Sequence, residues 1–129
     1  MTLRTMSDLE AATVRVSIAL KPSIELDEDI RQAVGAESID YGDGCQGPPA
    51  YTSSIDAALT LLDYLVMPVF EIRHWYAGMG DWRAEAHAGP LQTGSPAEHY
   101  TPALAICLAA LKAIQRQRAT VTSTPSNRI

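Results

Sequence analysis

The chain has 129 residues, 47% of them hydrophobic and 19% charged, which is the composition of a single globular domain. Its net charge is -5, and residues 1–43 alone hold nine acidic and four basic side chains. The chain therefore lacks the basic stripe with which proteins bind duplex nucleic acid, and no apolar run is long enough to span a membrane. The N-terminal residues lack the apolar segment of a signal peptide, so we predict a cytoplasmic protein. Two cysteines, Cys45 and Cys107, do not make a disulfide framework.

Two helices are predicted at the N-terminal end of the chain. The first begins at Ser7, which opens a capping-box pattern, and its apolar residues recur at helical spacing until Pro22. The stretch 14–18 also alternates like a short strand, which leaves that alternative open. The second helix covers residues 26–34 and ends at Gly35, and the acidic residues of its first turn suit the positive end of the helix dipole.

The middle of the chain is predicted to contain a loop, a helix and a β-hairpin. Residues 36–50 form the loop, because glycine and proline recur along them. A third helix follows, capped by Ser53 or Ser54. The apolar period then becomes alternating, which predicts strands over 69–76 and 82–88. The inward residues of the second strand are mostly alanine, which allows a helix to approach closely.

The C-terminal part is predicted to be a loop over 89–100, a helix and a polar tail. Thr101 caps this helix and Pro102 is its first residue. Residues 120–129 are predicted to be disordered. Because a two-stranded sheet is marginal in water, we also expect a third strand near 37–41 or pairing with a second subunit.

These elements predict an α+β fold, with a small antiparallel sheet sandwiched by helices and preceded by an N-terminal helical pair. We expect one domain over residues 1–119, whose helical N-terminal part covers 1–35, and the disordered tail over 120–129.

Three pieces of the sequence resemble the phage ABA sandwich domain, a family of small proteins of tailed phages and prophages. They are PPAYTSSIDAALTLL at 48–62, TPALAICLAALKAI at 101–114, and a hairpin that carries Trp75 and Trp82. The resemblance extends over roughly residues 7–115. It implies a layered helix/sheet/helix fold and a phage or prophage origin, and it carries over no functional residues.

Two helix starts are candidate anion sites, because the unpaired N-H groups of a first helical turn attract phosphate or carboxylate. At one start, hydroxyls and an aromatic ring would hold a nucleotide-type ligand through Tyr51, Thr52, Ser53 and Ser54. The alternative is that a serine only caps the helix while the tyrosine packs against it. Thr101 marks the second start.

The polar face of the predicted hairpin is a third candidate site. Arg73 and Arg83 would bind phosphates, Trp75 would stack on a base, and His87 lies beside them in the alternating pattern. The alternative is a solvated sheet face with weak cross-strand ion pairs.

No metal site, cofactor or catalytic residue is predicted. The three histidines lack the spacing of metal ligands, and glycine-rich residues 42–47 lack the lysine of a phosphate-binding loop. His87 and Glu85 are the one acid–base pair available, and two residues that lie two apart on a strand merely flank each other.

The sequence thus favours a phage-encoded binding protein that sequesters a nucleotide-type immune signal of the bacterial host, a counter-defence sponge without catalysis. One alternative is a protein-binding inhibitor or accessory factor that turns its acidic helical face to a basic partner. Another is an enzyme that degrades the nucleotide signal. We expect a homo-oligomer in the host cytoplasm, with neither duplex nucleic acid nor membrane among its partners.

Overall fold

The computed structural model describes residues 4–66, 68–74, 82–88, 95–99 and 101–123. Its helices are α1 (Arg4–Ile18), α2 (Ile24–Val34), α3 (Ile55–Leu59), which continues as a 3-10 helix (Thr60–Tyr64), and α4 (Pro102–Ser123). Its strands are β1 (Ile39–Gly42), β2 (Cys45–Gly47), β3 (Pro68–His74), β4 (Trp82–Ala88) and β5 (Ser95–His99). The chain has the predicted α+β fold, including the N-terminal helical pair.

The strands form two separate antiparallel sheets. β1 and β2 make a hairpin of their own, while β3, β4 and β5 form a three-stranded sheet in that order. Ala86 in β4 is paired with Phe70 on one side and Ser95 on the other. The third strand of the larger sheet is therefore β5, and the strand found near residues 37–41 pairs elsewhere.

Helix α4 lies at the centre of the fold. It packs on β4 and β5 and also on α1 and α3, so residues 103–111 are all buried and not just one stripe of them. Ala84 and Ala86 are fully buried in β4. Their small side chains let α4 lie close to the sheet, which confirms the packing predicted for this strand. The molecule is thus layered as sheet, then α4, then the N-terminal helices.

Helix α2 ends as the sequence predicts but begins at Ile24, two residues before the predicted start. The Ser23 side chain accepts a hydrogen bond from the N-H of Leu26, which caps the first turn. Gly35 ends the helix with a φ of 80°, a left-handed conformation that a residue with a Cβ rarely adopts. Leu26, Ile30 and Val34 are buried along one face of the helix.

Helix α1 differs from the prediction at its start. It begins at Arg4, so Ser7 lies within the helix and the capping-box interpretation of this residue is wrong. The stretch 14–18 is helical and not a strand, because Val16 continues the buried stripe of Leu9 and Ala12 at helical spacing.

Two segments predicted as loops contain strands. Residues 36–50 hold the β1–β2 hairpin, whose two-residue turn is Asp43-Gly44, and both residues have positive φ angles of 52° and 77°. That dipeptide is a strong signal for a tight hairpin turn, and the sequence interpretation missed it. Within 89–100, residues Ser95–His99 form β5.

Helix α4 also extends to Ser123, beyond the predicted start of a disordered tail at 120. The predicted hairpin loop 77–81 and the residues after 123 lie outside the described part of the chain. Among the described residues, no helix combines the length and apolar character that a membrane crossing requires.

Candidate functional site

The first predicted site, at the start of α3, lies mostly inside the protein. Thr52 is fully buried, and its hydroxyl donates to Asp27 Oδ1 at 2.7 Å and accepts from the N-H of Ser23 at 3.1 Å. The N-H of Thr52 donates to the same Asp27 oxygen at 2.8 Å. These bonds fix the segment before α3 to the first turn of α2, so the polar atoms of Thr52 serve the fold.

Tyr51 is buried as well. Its carbonyl oxygen accepts from Cys107 Sγ at 3.2 Å, which places it against the middle of α4. Burial raises the pKa of Tyr51 to about 12, because the charged phenolate loses its hydration inside the protein. Tyr51 and Thr52 therefore present almost no surface to a ligand.

Ser54 caps α3, as one of the two sequence readings predicts. Its Oγ accepts from the N-H of Ala57 at 3.2 Å, while Ser53 is exposed. Since α3 has 5 residues, its dipole is small. At the other predicted start, Thr101 Oγ1 accepts from the N-H of Leu104 at 3.2 Å and so caps α4.

The structure brings together part of the predicted hairpin site. Arg83 and His87 are half-buried in β4, on the face opposite the buried Ala84 and Ala86, and Arg73 is paired with Arg83 in the register of β3 and β4. We call this the outer face of the sheet. Trp75 lies outside the described residues.

Carboxylates share the outer face with Arg83. Arg83 Nη1 lies 3.9 Å from Glu98 Oε2 on β5. Glu71 of β3 is directly paired with Glu85 of β4. The described outer face therefore holds at least as many acidic as basic side chains, which does not favour an anionic ligand.

The described histidines are dispersed. His87 lies on the outer face, whereas His99 is buried and its Nε2 is 2.8 Å from the carbonyl oxygen of Val16. Across the described ranges, no group of three or more histidine, cysteine, aspartate or glutamate side chains is arranged to hold a metal ion. Cys45 is exposed and Cys107 is buried, and burial raises the pKa of the Cys107 thiol far above its usual value.

A groove that the sequence interpretation missed lies where α1 ends and α2 begins. It has a volume of about 440 Å³, is open to solvent, and is lined by Ile18, Ala19, Leu20 and Leu26 with charged residues around them. The exposed fractions of Ile18, Leu20 and the neighbouring Ile24 are 70%, 79% and 72%. Ile18 and Leu20, two large aliphatic side chains this exposed in one groove, form an apolar patch typical of protein-binding surfaces.

Charged residues border the groove. Arg15 Nη1 and Asp29 Oδ2 form an ion pair at 3.0 Å that joins α1 to α2, and Lys21 and Glu25 also line the groove. This arrangement resembles the apolar centre and polar rim of a protein interface. We call this groove, which includes Ile18 and Leu20, the helical-pair groove.

A signal for this groove is present in the sequence of α1. Val14 and Ile18 are four residues apart, so they share a helix face, and both are exposed. The buried stripe of α1 contains Leu9, Ala12 and Val16 instead. A helix with apolar residues on two faces has more apolar surface than the fold covers.

Comparisons of the chain with protein-family models, curated proteins and solved structures found no match. The resemblance to the phage ABA sandwich domain therefore stays a prediction based on the sequence motifs.

Proposed function

We propose that the protein acts by binding a protein partner, without catalysis of its own, and that the partner inserts an apolar segment into the helical-pair groove. The observation that carries this proposal is the exposure of Ile18 and Leu20, which line one groove. Full burial of an aliphatic side chain of this size contributes about 1.5–3 kcal/mol. A partner that covers both side chains gains this free energy from each of them.

The charge of the N-terminal part indicates the chemistry of the partner. Residues 1–43 hold nine acidic and four basic side chains, and Asp8 and Glu10 are exposed on α1. An excess of negative charge attracts a basic surface over distances near the Debye length of about 10 Å. We therefore infer an apolar segment flanked by lysine or arginine, which agrees with the inhibitor or accessory-factor alternative from the sequence.

The test compares two variants that remove exposed apolar side chains. Immobilised wild-type protein, the double variant Ile18→Ser/Leu20→Ser and the control Val66→Ser are incubated with bacterial lysate. Val66 is exposed to a similar extent but does not line the groove. We expect a protein that is retained by wild type and by the control and is lost from the double variant.

Calorimetry then measures the affinity of the purified captured protein for wild type and for each variant. We expect the double variant to bind at least tenfold more weakly than wild type, which corresponds to about 1.4 kcal/mol. If the captured protein binds the double variant as tightly as it binds wild type and the control, the groove is not the binding surface.

A second candidate function rests on the register of the sheet. Arg73 and Arg83 occupy directly paired positions of β3 and β4, with His87 in the same strand as Arg83. Arginine is the residue that binds phosphate most specifically, because its guanidinium group donates two parallel hydrogen bonds. This supports the sponge hypothesis, in which a protein of phage origin sequesters a nucleotide-type immune signal of its bacterial host in the cytoplasm.

The second candidate is tested by depletion and release. The protein is incubated with a panel of cyclic nucleotides, cyclic dinucleotides and cyclic ADP-ribose isomers, removed by filtration and heated. We expect a sponge to deplete one compound and return it intact, and the variant Arg83→Ala to lose that uptake. A compound returned in altered form would indicate an enzyme and direct attention to Glu85 and His87. No depletion would contradict the candidate for this panel.

A further inference from the structure

The β1–β2 hairpin stands away from the rest of the described fold. Residues 37–46 are all exposed. Apart from their pairing with each other, β1 and β2 contact the other described helices and strands only weakly. A two-stranded hairpin on its own is at best marginally stable in water. The hairpin is therefore a surface element whose faces are accessible to a partner.

Local hydrogen bonds give the hairpin a defined shape in addition to its tight turn. Asp40 Oδ1 accepts from the N-H of Gly42 at 2.9 Å. The Tyr41 hydroxyl donates to the carbonyl oxygen of Pro48 at 2.6 Å, which fixes the far end of the tyrosine ring. A surface that is already ordered loses little conformational entropy when a partner binds to it. The hairpin is thus prepared for binding before a partner arrives.

One face of the hairpin presents two large apolar side chains. Ile39 is paired with Gly47, so these two residues lie on the same face. A Cβ added at Gly47 would lie 3.6 Å from Cε2 of Tyr41, which places the tyrosine ring over this glycine and on the face of Ile39. The exposed fractions of Ile39 and Tyr41 are 40% and 59%. Exposed tyrosine rings of fixed orientation are frequent anchors of protein interfaces.

The charge of the hairpin indicates what covers this face. Residues 36–50 contain neither lysine nor arginine. They contain three acidic residues, Glu37, Asp40 and Asp43. Among the described residues, none of these carboxylates is paired with a basic side chain, and Arg31, which reaches the carbonyl oxygen of Ala36, forms its ion pair with Glu28. Such a surface repels nucleic acid, anionic membranes and a second copy of the same hairpin, and it attracts a basic protein segment.

We propose that the β1–β2 hairpin binds a basic segment of a partner protein on the face of Ile39 and Tyr41. An aliphatic side chain of the segment covers Ile39. An arginine lies on the ring of Tyr41, because the face of an aromatic ring attracts a cation. Further lysine or arginine residues lie near Glu37 and Asp43. The site is separate from the helical-pair groove, since no residue of the hairpin lines that groove.

The test uses the full chain and a short synthetic peptide in which arginine and valine alternate. Titration followed by NMR gives both the affinity and the residues in contact. We expect the backbone amide signals of β1 and β2 to shift, and those of Ile18 and Leu20 in the helical-pair groove to stay unchanged. The groove variant Ile18→Ser/Leu20→Ser should bind the peptide as tightly as wild type. This variant separates a failure at the hairpin from a failure at the groove.

Two kinds of variant remove the ring and the charge separately. Tyr41→Ser should bind the peptide about tenfold more weakly, whereas Tyr41→Phe, which keeps the ring, should bind nearly as wild type does. Glu37→Gln/Asp43→Asn should also weaken binding about tenfold, and asparagine tolerates the positive φ at position 43. The control Asp8→Asn/Glu10→Gln removes the same charge from exposed positions on α1 and should leave the affinity unchanged. Amide spectra check that each variant retains the hairpin.

Four results would overturn the proposal. They are a wild-type protein that does not bind the peptide, signal shifts that are confined to the groove, equal affinity of Tyr41→Ser and wild type, and equal affinity of the hairpin and α1 charge variants. Sedimentation velocity adds one more. A wild-type dimer that Tyr41→Ser abolishes would mean that a second copy covers the hairpin in place of a basic partner.

Discussion

Thr52 and Asp27 are joined by two hydrogen bonds inside the protein, since Asp27 Oδ1 accepts both from the N-H of Thr52 at 2.8 Å and from its hydroxyl at 2.7 Å. Only 5% of the Asp27 surface is exposed. A buried carboxylate is costly unless hydrogen bonds compensate it, and Thr52 supplies two of them. The pair therefore connects α2 to the segment that leads into α3, across a sequence separation that no local pattern reveals.

Removal of the Thr52 hydroxyl should destabilise the fold. Valine has the same shape as threonine, so Thr52→Val leaves packing intact while Asp27 loses a donor and the N-H of Ser23 loses its acceptor. Leaving buried polar groups unsatisfied costs about 1–3 kcal/mol. We expect the free energy of unfolding, measured with urea, to fall by about that amount.

The matched control for this variant is the next residue. Ser53 is exposed, so Ser53→Ala should change the free energy of unfolding by less than about 0.5 kcal/mol. Equal stability of Thr52→Val and Ser53→Ala would contradict a structural role for the buried hydroxyl.

Glu28 and Arg31 predict a measurable titration shift on α2. Arg31 Nε donates to Glu28 Oε1 at 2.9 Å, and Gln32 Nε2 donates to Oε2 at 2.7 Å. These hydrogen bonds, first of all those from Arg31, favour the charged carboxylate and lower the pKa of Glu28 from 4.5 to about 2. We expect the side-chain carboxyl of Glu28 to titrate near pH 2 when followed by NMR, and to return towards 4.5 in Arg31→Gln.

The sign of the pH dependence follows from this shift. Because the folded pKa of Glu28 lies below its unfolded value, between the two values the unfolded chain binds more protons than the folded one. The contribution of the pair is complete above pH 4.5 and is lost as the pH falls towards 2. Wild type and Glu28→Gln should therefore differ most in stability above pH 4.5 and least near pH 2. A constant difference would contradict the assignment.

The parts of the fold that the sequence predicts well are those in which local chemistry and burial agree. α2 has one apolar stripe and a C-terminal glycine, and both features are found in the structure. The alternating alanines of β4 predict both the strand and its contact with a helix. In these elements the local pattern already contains most of the physical information.

Other features depend on partners that are distant in the chain. β5 consists of Ser95–His99 and contains a proline, so it has no strand pattern of its own and forms only because β4 lies beside it. Asp27 looks like an ordinary dipole-complementing residue of a first helical turn, and its role depends on Thr52. The sequence of α4 predicts one buried stripe, yet residues 103–111 are all buried because the sheet packs on one side of the helix and other helices pack on the other.

The candidate sites also include some that local sequence patterns predict and others that depend on residues distant in the chain. Ser54 and Thr101 cap helices as local rules predict. The ligand site predicted at the start of α3 is not accessible at the surface, because Tyr51 packs on α4 and Thr52 binds Asp27. The helical-pair groove needed the three-dimensional structure, since residues of α1, of α2 and of the segment between them line it together, and Leu20 lies in that segment.

The close approach of α4 to the sheet gives the last prediction. Ala86 in β4 is fully buried beneath α4, so Ala86→Leu adds three carbon atoms where there is no space for them. Overpacking of this kind costs about 1–3 kcal/mol, and we expect urea denaturation to show a loss of that size. The matched control is Glu85→Leu in the same strand, which places an identical side chain on the outer face. That variant should stay within about 0.5 kcal/mol of wild type, because no helix lies above it among the described residues. A greater loss for Glu85→Leu than for Ala86→Leu would mean that α4 covers the other face of the sheet.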